Sequence, residues 1–145
     1  MRTVLQRVSR ASVSVAGEVV ARLDLADGEH GLVLLVGVGR DDGPDQVAAL
    51  VRKAAELRVL RGERSALDVG APVLVVSQFT LQGDVRRGRR PSWSAAAPGE
   101  VAEPLVDAVA SGLRARGLVV ATGRFGADMA VDLVGDGPVT LVLDT

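Results

Sequence analysis

The chain opens on alternation. Between Val4 and Val15, apolar residues such as Leu5, Val8 and Val13 are interleaved with Gln, Arg and Ser, the period-two pattern of a strand with one buried face. Ala16-Gly17-Glu18 then separates Val13 and Val15 from Val19 and Val20, a hairpin signal that predicts an antiparallel start. After Asp27-Gly28 the pattern becomes one apolar run, Gly31-Leu32-Val33-Leu34-Leu35-Val36-Gly37-Val38-Gly39, read as a central strand. Asp41-Asp42-Gly43-Pro44 opens a helix in which Val47, Leu50, Val51, Ala54 and Leu57 share one apolar face to pack on the sheet. A second apolar run, Val73-Leu74-Val75-Val76, predicts a buried strand that delivers Ser77-Gln78-Phe79-Thr80-Leu81 to its end. Another helix is expected over 100–116, with Val101, Leu105, Val109 and Leu113 on one side and Gly117 as its C-cap. Pro104 predicts that this helix starts late or bends early. Strands over 118–121, 129–134 and 139–143 complete the order, with Gly135-Asp136-Gly137-Pro138 read as a turn between the last two.

Strands, helix, strand, helix, strands is an α+β order. It predicts a mainly antiparallel sheet with a barrel-like core and two main helices, in one domain over 1–145. At 48% hydrophobic content the chain can bury one substantial core. The run over 31–39 is too short to cross a bilayer and is broken by glycine, so no membrane partner is expected. The N-terminus alternates where a signal peptide would be solidly apolar, which predicts a cytoplasmic protein.

Charge and chemistry narrow the function. With 17 Lys+Arg against 18 Asp+Glu, the net charge of −1 argues against a protein that coats nucleic acid through a large basic surface. One local patch, Arg86-Arg87-Gly88-Arg89-Arg90, follows the residue 77–81 segment; it is either a phosphate contact or a solvated loop. The absence of cysteine excludes disulfides and thiolate chemistry. The one histidine, His30, has no Gly-x-Ser-x-Gly elbow to serve, and no cluster of residues has metal-ligand spacing. The glycine pairs at 37 and 39 and at 135 and 137 lack the rest of any phosphate-loop pattern, so no cofactor is expected. What remains is backbone. Ser77, Gln78 and Thr80 stand at a strand end where main-chain groups come free, and Gly137 can take a positive φ while its bond to Pro138 can be cis. Both segments also have plainer readings: hydroxyls satisfying strand-end backbone, and an ordinary trans turn.

Taken together, Ser77-Gln78-Phe79-Thr80-Leu81, Arg89-Arg90-Pro91-Ser92, Phe125-Gly126-Ala127-Asp128-Met129 and Asp136-Gly137-Pro138-Val139-Thr140 resemble the D-aminoacyl-tRNA deacylase family. Gln6-Arg7-Val8-Ser9-Arg10-Ala11-Ser12-Val13 fits the same pattern, so the resemblance spans nearly the whole chain. It implies a homodimeric, metal-free editing enzyme acting on the ester at the 3′ end of aminoacyl-tRNA. Ser77, Gln78, Phe79 and Thr80 would form the catalytic strand end, with main-chain amides near Gln78 and Phe79 on the oxyanion and Phe79 as a wall for the terminal adenine. Gly137 and Pro138 would enter the partner's site as a cis pair that excludes L-residues. Arg7 would orient that pair, Met129 would frame the pocket, and the 2′-hydroxyl of the RNA would activate water. Arg86, Arg87, Arg89 and Arg90 are possible RNA contacts.

Three positions depart from the family pattern. The stretch 61–67 is shorter than usual and lacks a Lys-Met-Asn segment, Gly135 stands where asparagine is common, and Leu141-Val142-Leu143 is aliphatic where aromatics are frequent. Two rivals remain at this stage: an animal-type relative that edits threonine on alanine tRNA, with the proline in trans, and a non-catalytic nucleic-acid-binding dimer.

Overall fold

The computed structural model describes residues 1–86 and 88–145. Its spine is β1 (Arg2–Val15), which folds back through a tight turn onto β2 (Glu18–Leu23). Ala16 and Gly17 both have positive φ, 51° and 83°, the backbone that a two-residue hairpin turn requires. β3 (Gly31–Gly37) pairs antiparallel with the first half of β1, while β2 pairs with its second half.

From β3 the chain crosses through α1 (Pro44–Glu56) and a four-residue helix α2 (Ala66–Val69) into β4 (Val73–Ser77). A single 3-10 turn (Phe79–Gln82) follows, and then α3 (Gly99–Ala115), β5 (Val120–Thr122) and β6 (Met129–Asp144). The helical crossovers bring β4 beside β3, and β5 beside β4, in parallel. The sheet is therefore mainly antiparallel, through the three pairings of β1, with parallel pairing confined to β3, β4 and β5, and it is curled into a nearly closed barrel-like form.

Two apolar cores lie on its two faces. Leu5, Leu32, Leu34 and Val75 pack against α1 and α3, while Val8, Val13, Val33, Leu74 and Val76 meet Ala21 and Leu23 of β2. β3 is covered on both sides, which is why it reads as an unbroken apolar run.

Three expectations need correction. α3 begins at Gly99 and runs through Pro104, which is exposed, as is Glu100, whose carbonyl loses its i→i−4 partner there and is left to water. Its buried face is Ala102, Val106, Val109, Ala110 and Leu113; Val101 is exposed and Leu105 only partly covered. The rotation follows from close helix packing, since a Cβ on Gly112 would meet Val51 Cγ2 at 2.8 Å. Finally, residues 135–138 are not a turn between two strands. β6 runs through them in one piece, paired to β1 on both sides of two register shifts, one between Gln6 and Val8 and one between Val8 and Arg10. Gly117 does end α3 as expected, with φ of 89°.

Candidate active site

β4 stops at Ser77 because its neighbour stops: Ser77 is paired with Val36 near the end of β3. The Gln78 amide still donates to the Val36 carbonyl, at 2.7 Å. It is therefore committed to the sheet and is not a free oxyanion donor, contrary to the expectation from sequence. The chain then tightens into the 3-10 turn. Among the described residues, the amides of Phe79 and Thr80, its first two, have no backbone acceptor. The Gln78 side-chain amide donates to Thr80 Oγ1.

The start of this turn borders a cavity of about 400 Å³. Ser77, Gln78 and Phe79 form one side; Val106 of α3, Phe125 and Met129 stand on others. Thr80 is outside the lining, and Asp128 is the one titratable side chain among the described lining residues. Met129 is held close, for a Cβ on Gly123 would meet its sulfur at 2.7 Å. Phe79 is 56% exposed and takes the edge of Trp93, with ring centroids 5.4 Å apart and planes at 75°. Trp93 in turn lies on Gly83, where a Cβ would come within 2.6 Å of Cζ3.

The second segment is built around one carboxylate. Gly137 has φ of 115°, its bond to Pro138 is cis, and both residues are exposed. Arg7, buried in β1, donates through Nε to the Asp136 carbonyl at 3.2 Å and through Nη1 to the Val59 carbonyl at 2.9 Å. Its Nε also lies 2.9 Å from Asp136 Oδ2. Arg61 grips the same carboxylate with Nη2 on Oδ1 at 2.6 Å and Nε on Oδ2 at 3.2 Å. His30 Nε2 stands 3.1 Å from Oδ2. The hydrogen bond from Arg61 is the main reason that Asp136 titrates below the ordinary carboxylate range; the charges of Arg61, Arg7 and His30 add to it and partial desolvation opposes it.

Within the chain the two segments stay apart. Neither Gly137 nor Pro138 is among the described residues lining the cavity beside Ser77. Of the arginine run, Arg86 is forked onto Asp84, with Nε to Oδ1 at 2.9 Å and Nη2 to Oδ2 at 2.7 Å. That pairing pulls the Asp84 carboxyl down to about 2. Arg89 and Arg90 are exposed, and Arg87 lies outside the described residues.

Sequence reasoning placed Arg7 and Met129 at these sites but missed the carboxylate hub and its other partners. His30 was weighed only as a catalytic base, and Arg61 only as part of a shortened loop. A lone carboxylate beside a glycine was the available signal for a charged anchor.

The family model described as D-Tyr-tRNA(Tyr) deacylase matches residues 4–144. A D-aminoacyl-tRNA deacylase from Kineococcus radiotolerans is 65% identical over 144 residues, covering 99% of each chain. One from Beutenbergia cavernae is 66% identical with the same coverage, 99% of each. Among solved structures, one titled c-Myc DNA Unwinding Element Binding Protein superposes with TM-score 0.89 at 36% identity, covering 100% of this chain and 99% of its own. A probable eukaryotic D-amino acid tRNA deacylase shares the fold, with TM-score 0.78 at 18% identity and coverage of 99% and 98%.

Proposed function

The chain belongs to the D-Tyr-tRNA(Tyr) deacylase family, and on that premise we propose that it hydrolyses the ester joining a D-amino acid, or glycine, to the terminal adenosine of tRNA. It does so as a cytoplasmic homodimer that needs no metal or cofactor. The observation that carries the reading is the cavity at the end of β4, which has the unpaired Phe79 amide on its rim but, among the described lining residues, no histidine, no lysine and one carboxylate. Such a site favours chemistry in which the substrate supplies its own base.

The aminoacyl ester enters beside Ser77, and the Phe79 amide holds the oxyanion that forms when water attacks the carbonyl. The 2′-hydroxyl of the terminal ribose takes a proton from that water while passing its own to the neighbouring 3′-oxygen. Collapse of the tetrahedral intermediate breaks the bond to the ribose 3′-oxygen, which leaves protonated, releasing free amino acid and tRNA. Phe79 offers its exposed face to the adenine, and Met129 closes the far wall.

Selection comes from the second protomer. The exposed Gly137-Pro138 segment projects from one subunit into the cavity of its partner, where rigid carbonyls occupy the place an L side chain would take. Exclusion of this kind acts on every L-residue, whereas an attractive pocket distinguishes a methylene by only about 1–3 kcal/mol. A D side chain points away, and glycine has none to exclude.

The test uses three substrates: D-tyrosyl-tRNA, L-tyrosyl-tRNA, and D-tyrosyl-tRNA lacking the terminal 2′-hydroxyl. Rapid loss of the first alone is the expected result. Equal loss of D and L esters overturns the exclusion mechanism, hydrolysis of the third overturns substrate assistance, and binding without hydrolysis favours a nucleic-acid-binding dimer.

A further inference from the structure

We propose that Arg61 is a positioning residue for the Gly137-Pro138 segment, acting through Asp136 to set where that backbone stands and so how strictly L-residues are refused. The proposal rests on the deacylase reading above. It begins from a weakness in the segment. Gly137 lacks a side chain and sits at φ 115°, so its conformation is not self-determined and must be imposed by neighbours.

Asp136 is the residue through which they act. Three groups from three parts of the chain converge on its carboxylate: Arg7 from β1, His30 from just before β3, and Arg61 from the stretch between α1 and α2. Their contributions differ. Arg7 divides its guanidinium between the Val59 carbonyl, the Asp136 carbonyl and Asp136 Oδ2, and His30 touches one oxygen. Arg61 alone takes both carboxylate oxygens with its Nε and Nη2, a fork that fixes the orientation of the carboxylate plane as well as its distance. The carboxylate plane in turn constrains the Asp136 backbone, one peptide bond from Gly137.

Arg61 is itself presented by a strained turn. Leu60 and Arg64 pair across it, and Gly62 and Glu63 both have positive φ, 74° and 55°. Beyond it, Ser65 and Asp68 cap α2 reciprocally, at 2.8 and 3.2 Å, so the turn is tied down at its far end. The shortened 61–67 stretch thus has a definite geometry that aims a guanidinium at Asp136. Because the Arg61 side chain is 61% exposed, removing it opens no cavity, and an exposed ion pair adds little to global stability. Its loss therefore falls mainly on the position of the segment and only slightly on folding.

The experiment compares wild type, Arg61→Ala, Arg61→Lys, Asp136→Asn and the Arg61→Ala/Asp136→Asn double variant. Three quantities are read: the ratio of D-tyrosyl-tRNA to L-tyrosyl-tRNA turnover, amide hydrogen exchange over residues 134–140, and the thermal midpoint. Arg61→Ala is expected to lower the D/L ratio by about tenfold or more, as small displacements of positioning groups do, and to speed exchange over 134–140. Its thermal midpoint stays within about 2 °C of wild type, the shift of a minor surface change. Lys, a point charge without the fork, restores only part of the ratio. The double variant is no worse than Asp136→Asn, since Arg61 acts through that carboxylate. An unchanged ratio in Arg61→Ala, or additive losses in the double variant, overturns the proposal while leaving the deacylase reading intact. A wild type that treats D and L esters alike overturns the reading itself.

Discussion

Arg7 lies directly against the α-carbon of Gly137: a Cβ placed there would be 2.5 Å from Arg7 Nη2. No such approach is tolerated between real atoms, and the φ of 115° is one that L side chains rarely adopt. Gly137→Ala should therefore push Arg7 off the Asp136 carbonyl and displace the segment, at a cost of about 1–3 kcal/mol. Urea denaturation measures the stability loss, and turnover of L-tyrosyl-tRNA measures the loss of selection.

Arg7→Lys keeps the charge but cannot reach the Val59 carbonyl and Asp136 together. One buried acceptor is left unsatisfied, costing about 1–3 kcal/mol. Equilibrium unfolding should register this, and discrimination between D and L esters should fall with it; full retention of both would show that Arg7 acts only as a positive charge.

At the other segment the critical contact is aromatic. Gly83 is in ordinary extended backbone, so Gly83→Ala acts only through its new methyl group, which collides with Trp93 Cζ3 and comes within 2.9 Å of the Thr80 carbonyl oxygen. Overpacking of this kind costs about 1–3 kcal/mol, and here it should displace both Trp93 from Phe79 and the end of the 3-10 turn. The expected signature is a changed tryptophan emission maximum together with a raised KM for D-tyrosyl-tRNA.

Thr80→Ala tests whether the threonine is a covalent nucleophile. Its hydroxyl is engaged by the Gln78 side chain and lies outside the cavity lining. The loss expected is that of one hydrogen bond, about 0.5–1.5 kcal/mol, or at most roughly tenfold in kcat. Single-turnover kinetics showing a loss of several orders of magnitude would instead assign Thr80 to the chemistry.

The pH dependence of the anchor has a definite sign. Asp136 titrates lower in the folded protein than in the unfolded chain, chiefly because of the Arg61 hydrogen bond. It stabilises the fold above the unfolded carboxylate value of about 3.9, and that contribution fades as pH falls through the folded value. The urea midpoints of wild type and Asp136→Asn should thus differ above about pH 5 and converge in more acidic buffer. Convergence at high pH instead would reverse the assignment.

Local pattern carried most of the framework. Alternation marked β1 and β2, the apolar runs marked β3 and β4, and Pro44 and Gly117 stood where α1 begins and α3 ends. The errors share a physical origin. Val101 and Ala102 are both apolar, and only the close approach of Gly112 to Val51 decides which faces inward. Gly135, Gly137 and Pro138 have the composition of a turn, but pairing with β1 on either side holds them within β6. For the site, the identity of the strand-end residues was legible because their chemistry is local. The Asp136 hub was not, since Arg7, His30 and Arg61 meet it only after the sheet has curled.

That β6 is continuous also restricts how the chain can change in length. A loop can gain or lose residues and absorb the difference, but the two stretches of β6 laced to β1, residues 129–135 and 140–144, cannot. Inserting one residue between Thr140 and Asp144 would turn every later side chain to the opposite face of the sheet, whereas residues 136–139 have no partner on β1 and so are not held to that count. Each laced stretch acts as a ruler that constrains the number of its residues more tightly than their identity, and the Gly137-Pro138 segment stands in the gap between the two.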